Sequence, residues 1–153
     1  MALMATNDKP KGAIMINVET SSLTDTALDY AVALSDHRLV RCDPMGFISG
    51  TESGYWVWED DDPTKKTVYQ KIGREYSPST KWDQGGVILE RLRKMSLHQF
   101  WIESDGPNVH IMAWLDKHTC IKGYGPTLLI AAMRCYVAAC KGESIELPVS
   151  LAP

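Results

Sequence analysis

Gly125-Pro126-Thr127-Leu128-Leu129-Ile130-Ala131-Ala132-Met133-Arg134-Cys135-Tyr136-Val137-Ala138-Ala139-Cys140-Lys141-Gly142 is a helix with punctuation at both ends. Pro126 stands in its first turn and Gly142 just past its last. Apolar residues occupy every side between them, and Arg134 is the single internal charge. Such a helix has to be enclosed, either by the rest of the chain or by a second copy. Its cation then needs a partner, because an unpaired buried charge costs several kcal/mol. Glu90 and Asp29 are the carboxylates expected to reach it.

Upstream, Leu23–Leu34 repeats apolar residues at helical spacing (Leu23, Ala27, Ala31, Leu34), with Asp25, Asp29 and Asp36 along the other side. Thr24 or Ser22 is placed to cap this helix, and Asp25 suits the positive end of its dipole. Ile14–Val18 reads as a short strand. Residues 38–51 look irregular, with Pro44, Gly46 and Gly50. Glu52–Trp58 and Thr67–Ile72 read as a hairpin around the acidic turn Glu59-Asp60-Asp61-Asp62-Pro63. Gly73–Gly86 is a long polar loop, and Val87–Glu90 enters a strand or short helix. Phe100–Ile102 and Val109–Trp114 are strands joined by a turn at Ser104–Asn108, and Ile145–Leu147 is a last strand ending at Pro148. The fold class is α+β: an antiparallel sheet of short strands packed on two helices, with the C-terminal helix central. Residues 1–13 read as a disordered tail and residues 14–153 as a single α+β domain.

The chain has 153 residues and a formal net charge of -3, with 16 Lys and Arg against 19 Asp and Glu. That balance argues against nonspecific nucleic-acid binding, which relies on a clustered basic face. A modest basic-aromatic stretch, Lys65 to Trp82, is opposed by the acidic run beside it. Met1–Ala13 has no apolar core of the kind a secretory leader needs, so Cys42, Cys120, Cys135 and Cys140 are expected as reduced thiols in the cytoplasm. Leu128–Cys140 is too short to cross a bilayer, which takes about 20 residues.

The candidate binding residues are Tyr76, Ser77, Trp82, Gln84, Gly85, Gly86 and Glu90, joined by Arg134 and by Trp56 and Trp58 from the aromatic strand. Trp82 offers a flat apolar face with one donor, Gln84 both donates and accepts, and Gly85-Gly86 allow close backbone approach. A plainly structural reading, with Trp82 plugging the core and the glycines shaping a turn, outweighs ligand binding. For Arg134 a fold-locking ion pair outweighs an anion site at the base of a pocket. Gly123-Tyr124-Gly125 before a helix start lacks the Lys-Ser/Thr of a phosphate-binding loop. His110, His118 and Cys120 fit no standard zinc spacing, and no Gly-x-Ser-x-Gly is present. No catalytic residue, metal or cofactor is assigned.

Three segments carry a resemblance: Leu23–Ala33, Tyr76–Arg91, and Gly125–Ala138 continuing to Glu146-Leu147-Pro148. Together they resemble the NinX-like family of bacteriophage and prophage proteins, in order from about Met15 to Pro148. The chain departs from the family pattern at Leu129, where Pro is usual, and at Val87 and Leu89. The resemblance implies a phage or prophage protein acting in the bacterial cytoplasm and carries over no functional residue. The expectation is a non-enzymatic accessory protein that binds a protein partner or another copy of itself, with no membrane or nucleic-acid role. The alternative is a small hydrolase or transferase whose polar pocket is built from the 76–90 loop and Arg134.

Overall fold

A computed structural model describes residues 13–43, 54–58 and 69–152. The strand β1 (Met15–Glu19) leads through a 3-10 turn, Thr20–Ser22, into α1 (Asp25–Ser35). Next come β2 (Leu39–Asp43), β3 (Gly54–Trp58) and β4 (Tyr69–Lys71), then α2 (Trp82–Met95). The meander β5 (Gln99–Asp105), β6 (Asn108–Trp114) and β7 (Cys120–Gly125) follows, then α3 (Leu128–Lys141), β8 (Ser144–Pro148) and a closing 3-10 turn, Val149–Leu151.

The fold is α+β, with antiparallel sheets packed against helices and α3 at the centre. Strands β6 and β7 lie across α3, and α1, α2, β8 and the Thr20–Ser22 turn pack around it. The chain itself therefore encloses the apolar helix: Leu129, Ala131, Ala132, Met133, Cys135, Tyr136 and Val137 are all buried. The start of α3 is capped by Thr127, whose Oγ1 accepts the Ile130 amide at 3.2 Å, and its C-cap is Gly142 at φ 93°.

Several expectations change. The single sheet is three among the described residues: β1–β8, β2–β3–β4 and β5–β6–β7, all antiparallel. The β5–β6–β7 sheet and β8 pack on α3, whereas β2 packs against α1. The expected two helices are three, because the polar loop ends at Lys81 and α2 begins at Trp82. Its buried residues Gly85, Ile88 and Leu92 fall on one helical face, and a fully buried Leu contributes about 2 kcal/mol. Asp83 in the first turn and Arg93 and Lys94 in the last suit the helix dipole. Leu39–Asp43, read as irregular, is a strand paired residue by residue with β3.

Cys120–Gly125 is also a strand, although its glycines suggested helix entry alone. A Cβ on Gly123 would collide with the α3 backbone at Ala131 and Cys135, so the glycine allows β7 to lie directly on the helix. Helix α1 starts at Asp25; Thr24 is its N-cap residue but makes no side-chain cap bond. The Ser22 hydroxyl donates instead to the Glu19 carbonyl at 2.8 Å. The tail at residues 1–13, apart from Ala13, and the acidic turn at residues 59–63 lie outside the described residues.

Candidate functional site

The segment before α2 is held by a polar network centred on α1. Asp29, on the side of its helix away from the apolar stripe, is only 1 % exposed. Its Oδ1 accepts the Ser79 amide at 2.9 Å and its Oδ2 the Ser77 hydroxyl at 2.9 Å. Burial raises the Asp29 carboxyl above its ordinary value, and the hydrogen bonds from Ser79 and Ser77 hold it partly down. The Ser77 amide donates to Gln84 Oε1 at 2.7 Å, and Gln84 Nε2 donates to the Glu75 carbonyl at 2.6 Å. The Ser77 and Thr80 hydroxyls share a hydrogen bond of 2.8 Å. Tyr76 is buried in the core beneath the Arg38 guanidinium, 5.8 Å from its ring centroid, and burial pushes its hydroxyl well up from 10.

Ser77 and Gln84, two of the polar candidates, are thus engaged within the chain. Gly85 serves packing: a Cβ there would drive into the Pro78 carbonyl oxygen and the Leu129 side chain. Gly86 faces open space, and a Cβ there would lie 3.9 Å from the Trp82 ring. Trp82 does not plug the core. It is 59 % exposed, and Val87 further along the outward side is 51 % exposed. Glu90 is also on the outward side, paired with Arg93 at 3.0 Å, and that guanidinium lowers its carboxyl from 4.5.

Trp56 and Trp58 alternate onto one face of β3, away from Val57, which enters the core. Arg74 lies 5.9 Å over the Trp56 ring and Arg41 4.3 Å over Trp58, which also meets Tyr69 edge-on at 4.5 Å. Trp56 is 4 % exposed, and the indole N–H groups of both tryptophans find no acceptor among the described residues. Neither tryptophan hydrogen-bonds to the Asp29 network; Arg74, in the turn ahead of Tyr76, pairs with the Glu75 carboxylate at 2.7 Å.

Arg134 pairs with neither Glu90 nor Asp29. Its Nε donates to the Leu23 carbonyl and its Nη1 to the Tyr124 carbonyl, each at 2.9 Å. The guanidinium is half-buried, which lowers its pKa from 12.5. Backbone carbonyls satisfy its donors where the expectation had a carboxylate, because α3 carries it to the seam between β7 and the start of α1. It lines a groove of about 990 Å³ that no residue of the 76–90 segment enters. Arg134 and the 76–90 segment thus do not share this groove.

The groove itself was not foreseen. Its walls come from β1, the outward face of the β5–β6–β7 sheet and the chain around Gly142. His110 and Tyr124 stack there with centroids 5.7 Å apart and planes 19° from parallel. The alternation of His110, Met112 and Trp114 against Val109, Ile111 and Ala113 was visible in the sequence, but not which set faced outward. Among the described residues no group of three or more His, Cys, Asp or Glu side chains is placed to hold a metal ion. No helix among them is long and apolar enough to cross a membrane.

A family model described as Bacteriophage P22, NinX matches residues 19–140. No curated protein matches the chain.

Proposed function

The chain belongs to the NinX family of bacteriophage P22, and on that premise we propose that it is a non-enzymatic accessory protein of the bacterial cytoplasm. It works by binding another protein, of host or phage origin or a second copy, through the outward side of α2. One observation carries this reading. The polar side chains around Ser77 are engaged within the chain, and among the exposed charged residues Lys81, Asp83 and Glu90 the same segment turns to solvent the indole of Trp82, beside Gly86, and Val87. The Asp29 carboxylate and the Gln84 amide are spent on holding the chain path into α2. An exposed Trp supplies a rigid anchor that loses little entropy on binding, the residue type most often dominant in interfaces.

The test is capture from phage-infected bacteria with the wild-type chain and with Trp82→Ala/Val87→Ser. Both substitutions are at exposed positions, so the double variant should melt with the wild type. A protein retained by the wild type and lost by the variant supports the reading. Equal retention by both overturns the α2 surface. Light scattering over a concentration series identifies a second copy as the partner if the wild type dimerises and the variant does not.

A further inference from the structure

The groove beside Arg134 has in its walls two sheet edges with no strand partner among the described residues, and the ladders show which backbone groups face out. The Leu115 amide donates to the Thr119 carbonyl at 3.0 Å, and the register then pairs Ala113 with Ile121 and Ile111 with Gly123. Hydrogen-bonded pairs recur at every second residue, so Ile121 and Gly123 turn their amides and carbonyls toward β6. Cys120, Lys122 and Tyr124 turn theirs away. The Tyr124 carbonyl confirms the phase, because it accepts Arg134 Nη1 from outside the sheet. No strand pairs with that side of β7 among the described residues.

The same logic holds across the groove. The Thr20 amide donates to the Glu143 carbonyl and the Val149 amide to the Ile14 carbonyl, each at 2.8 Å. With the β1–β8 register, this turns the backbone groups of Asn17 and Glu19 away from β8. Asn17, Glu19, Cys120, Lys122 and Tyr124 all line the groove.

Its charge selects the occupant. Glu19, Glu103, Asp105 and Glu143 line the groove against Lys122 and Arg134, and the Arg134 guanidinium is already committed to two carbonyls. The surplus is acidic, which excludes a nucleic-acid strand and favours a cation. At about 990 Å³ the groove lies at the upper end of the range for ligand pockets, and an unpaired edge in its wall is the feature that strand addition uses.

We propose that this groove receives an extended, lysine- or arginine-bearing segment of a partner protein as an added strand on β7. The ladder groups of Cys120 and Lys122 and the Tyr124 amide hold its backbone, and the carboxylates hold its cations. The inference goes beyond the α2 reading and is independent of it, since no α2 residue lines the groove.

The test is fluorescence anisotropy of the full chain with a short, end-blocked, fluorescein-labelled peptide of alternating lysine and valine. Saturable binding that 0.5 M salt, about a 4–5 Å screening length, strongly weakens is expected. N-methylation of alternate peptide amides on the β7-facing side abolishes binding, and a glutamate-valine peptide does not bind. Glu19→Lys/Glu143→Lys, at exposed positions, weakens binding by about tenfold or more with an unchanged melt. Trp82→Ala binds the peptide as the wild type does, which separates this site from the α2 surface. No binding, equal binding of the N-methylated peptide, or equal binding of the glutamate peptide would each overturn the proposal.

Discussion

Asp29 on α1 accepts the amide of Ser79, fifty residues away, at 2.9 Å. This bond and its neighbour from Ser77 set the path of the chain into α2 and hold the 77–81 segment against the core. The outward aim of Trp82 follows from that anchoring.

Asp29→Ala leaves the buried Ser79 amide without its acceptor, while the Ser77 hydroxyl can still donate to the Thr80 hydroxyl. The expected loss is about 1–3 kcal/mol, the cost of one orphaned buried donor. Urea denaturation reads it directly. An unchanged midpoint would mean that the anchor contributes nothing.

The same carboxyl gives a pH signature. Its folded pKa is raised above 3.8, first by burial, so between 3.8 and the raised value the folded state holds the proton more often than the unfolded one. Stability from this group is full below that window and falls as the pH climbs through it. The melting temperature of the wild type minus that of Asp29→Asn should therefore decline as pH rises from below 3.8. A flat difference would contradict the raised pKa.

Neighbouring glycines should respond in opposite directions to alanine. Gly85→Ala places a methyl against the Pro78 carbonyl and the Leu129 side chain, and overpacking of this kind costs about 1–3 kcal/mol. Gly86→Ala meets only the Trp82 ring at van der Waals distance, and removing a helix-interior glycine gains up to about 1 kcal/mol. Thermal melts of the two variants should lie on opposite sides of the wild type.

Arg134→Ala loses two hydrogen bonds to carbonyls, those of Leu23 and Tyr124. With no buried carboxylate left behind, the expected cost is about 2 kcal/mol, below that of breaking a buried ion pair. Arg134→Lys should recover little of it, because a single ammonium does not reproduce a fork that reaches two acceptors. Full recovery by lysine in chemical denaturation would show that charge alone matters at this position.

Much of the secondary structure was legible where its signals were local. Pro126, Thr127 and Gly142 mark the ends of α3, the stripe from Leu23 to Leu34 marks α1, and the apolar runs Phe100–Ile102 and Val109–Trp114 on either side of the turn at Gly106-Pro107 mark β5 and β6. α2 was obscured because Gly85 and Gly86 lower helix propensity and its first residues are polar. The spacing of Ile88, Leu92 and Met95 was the available clue. β7 was obscured because Gly123, which reads as a breaker, is required by the backbone of α3 lying beneath it.

The candidate site divided in the same way. The importance of the 76–90 segment could be seen in its composition, but not the assignment of roles within it. Asp29 was read as a partner for Arg134, and only the packing of the 77–81 segment reveals it as the acceptor of Ser77 and Ser79. The partners of Arg134 are main-chain carbonyls, which leave no mark on residue identity.

Amino-acid order alone determined that α3 must be an enclosed helix and that α1 must bury a stripe, because caps and apolar periodicity act within a few residues. Tertiary structure decided which chain atoms accept from the Arg134 cation, which side of the β5–β6–β7 sheet meets water, and that two strand edges stay unpaired beside Arg134 among the described residues. Those outcomes depend on close contact between residues distant in the chain, where a missing Cβ or a backbone carbonyl counts for more than the type of side chain.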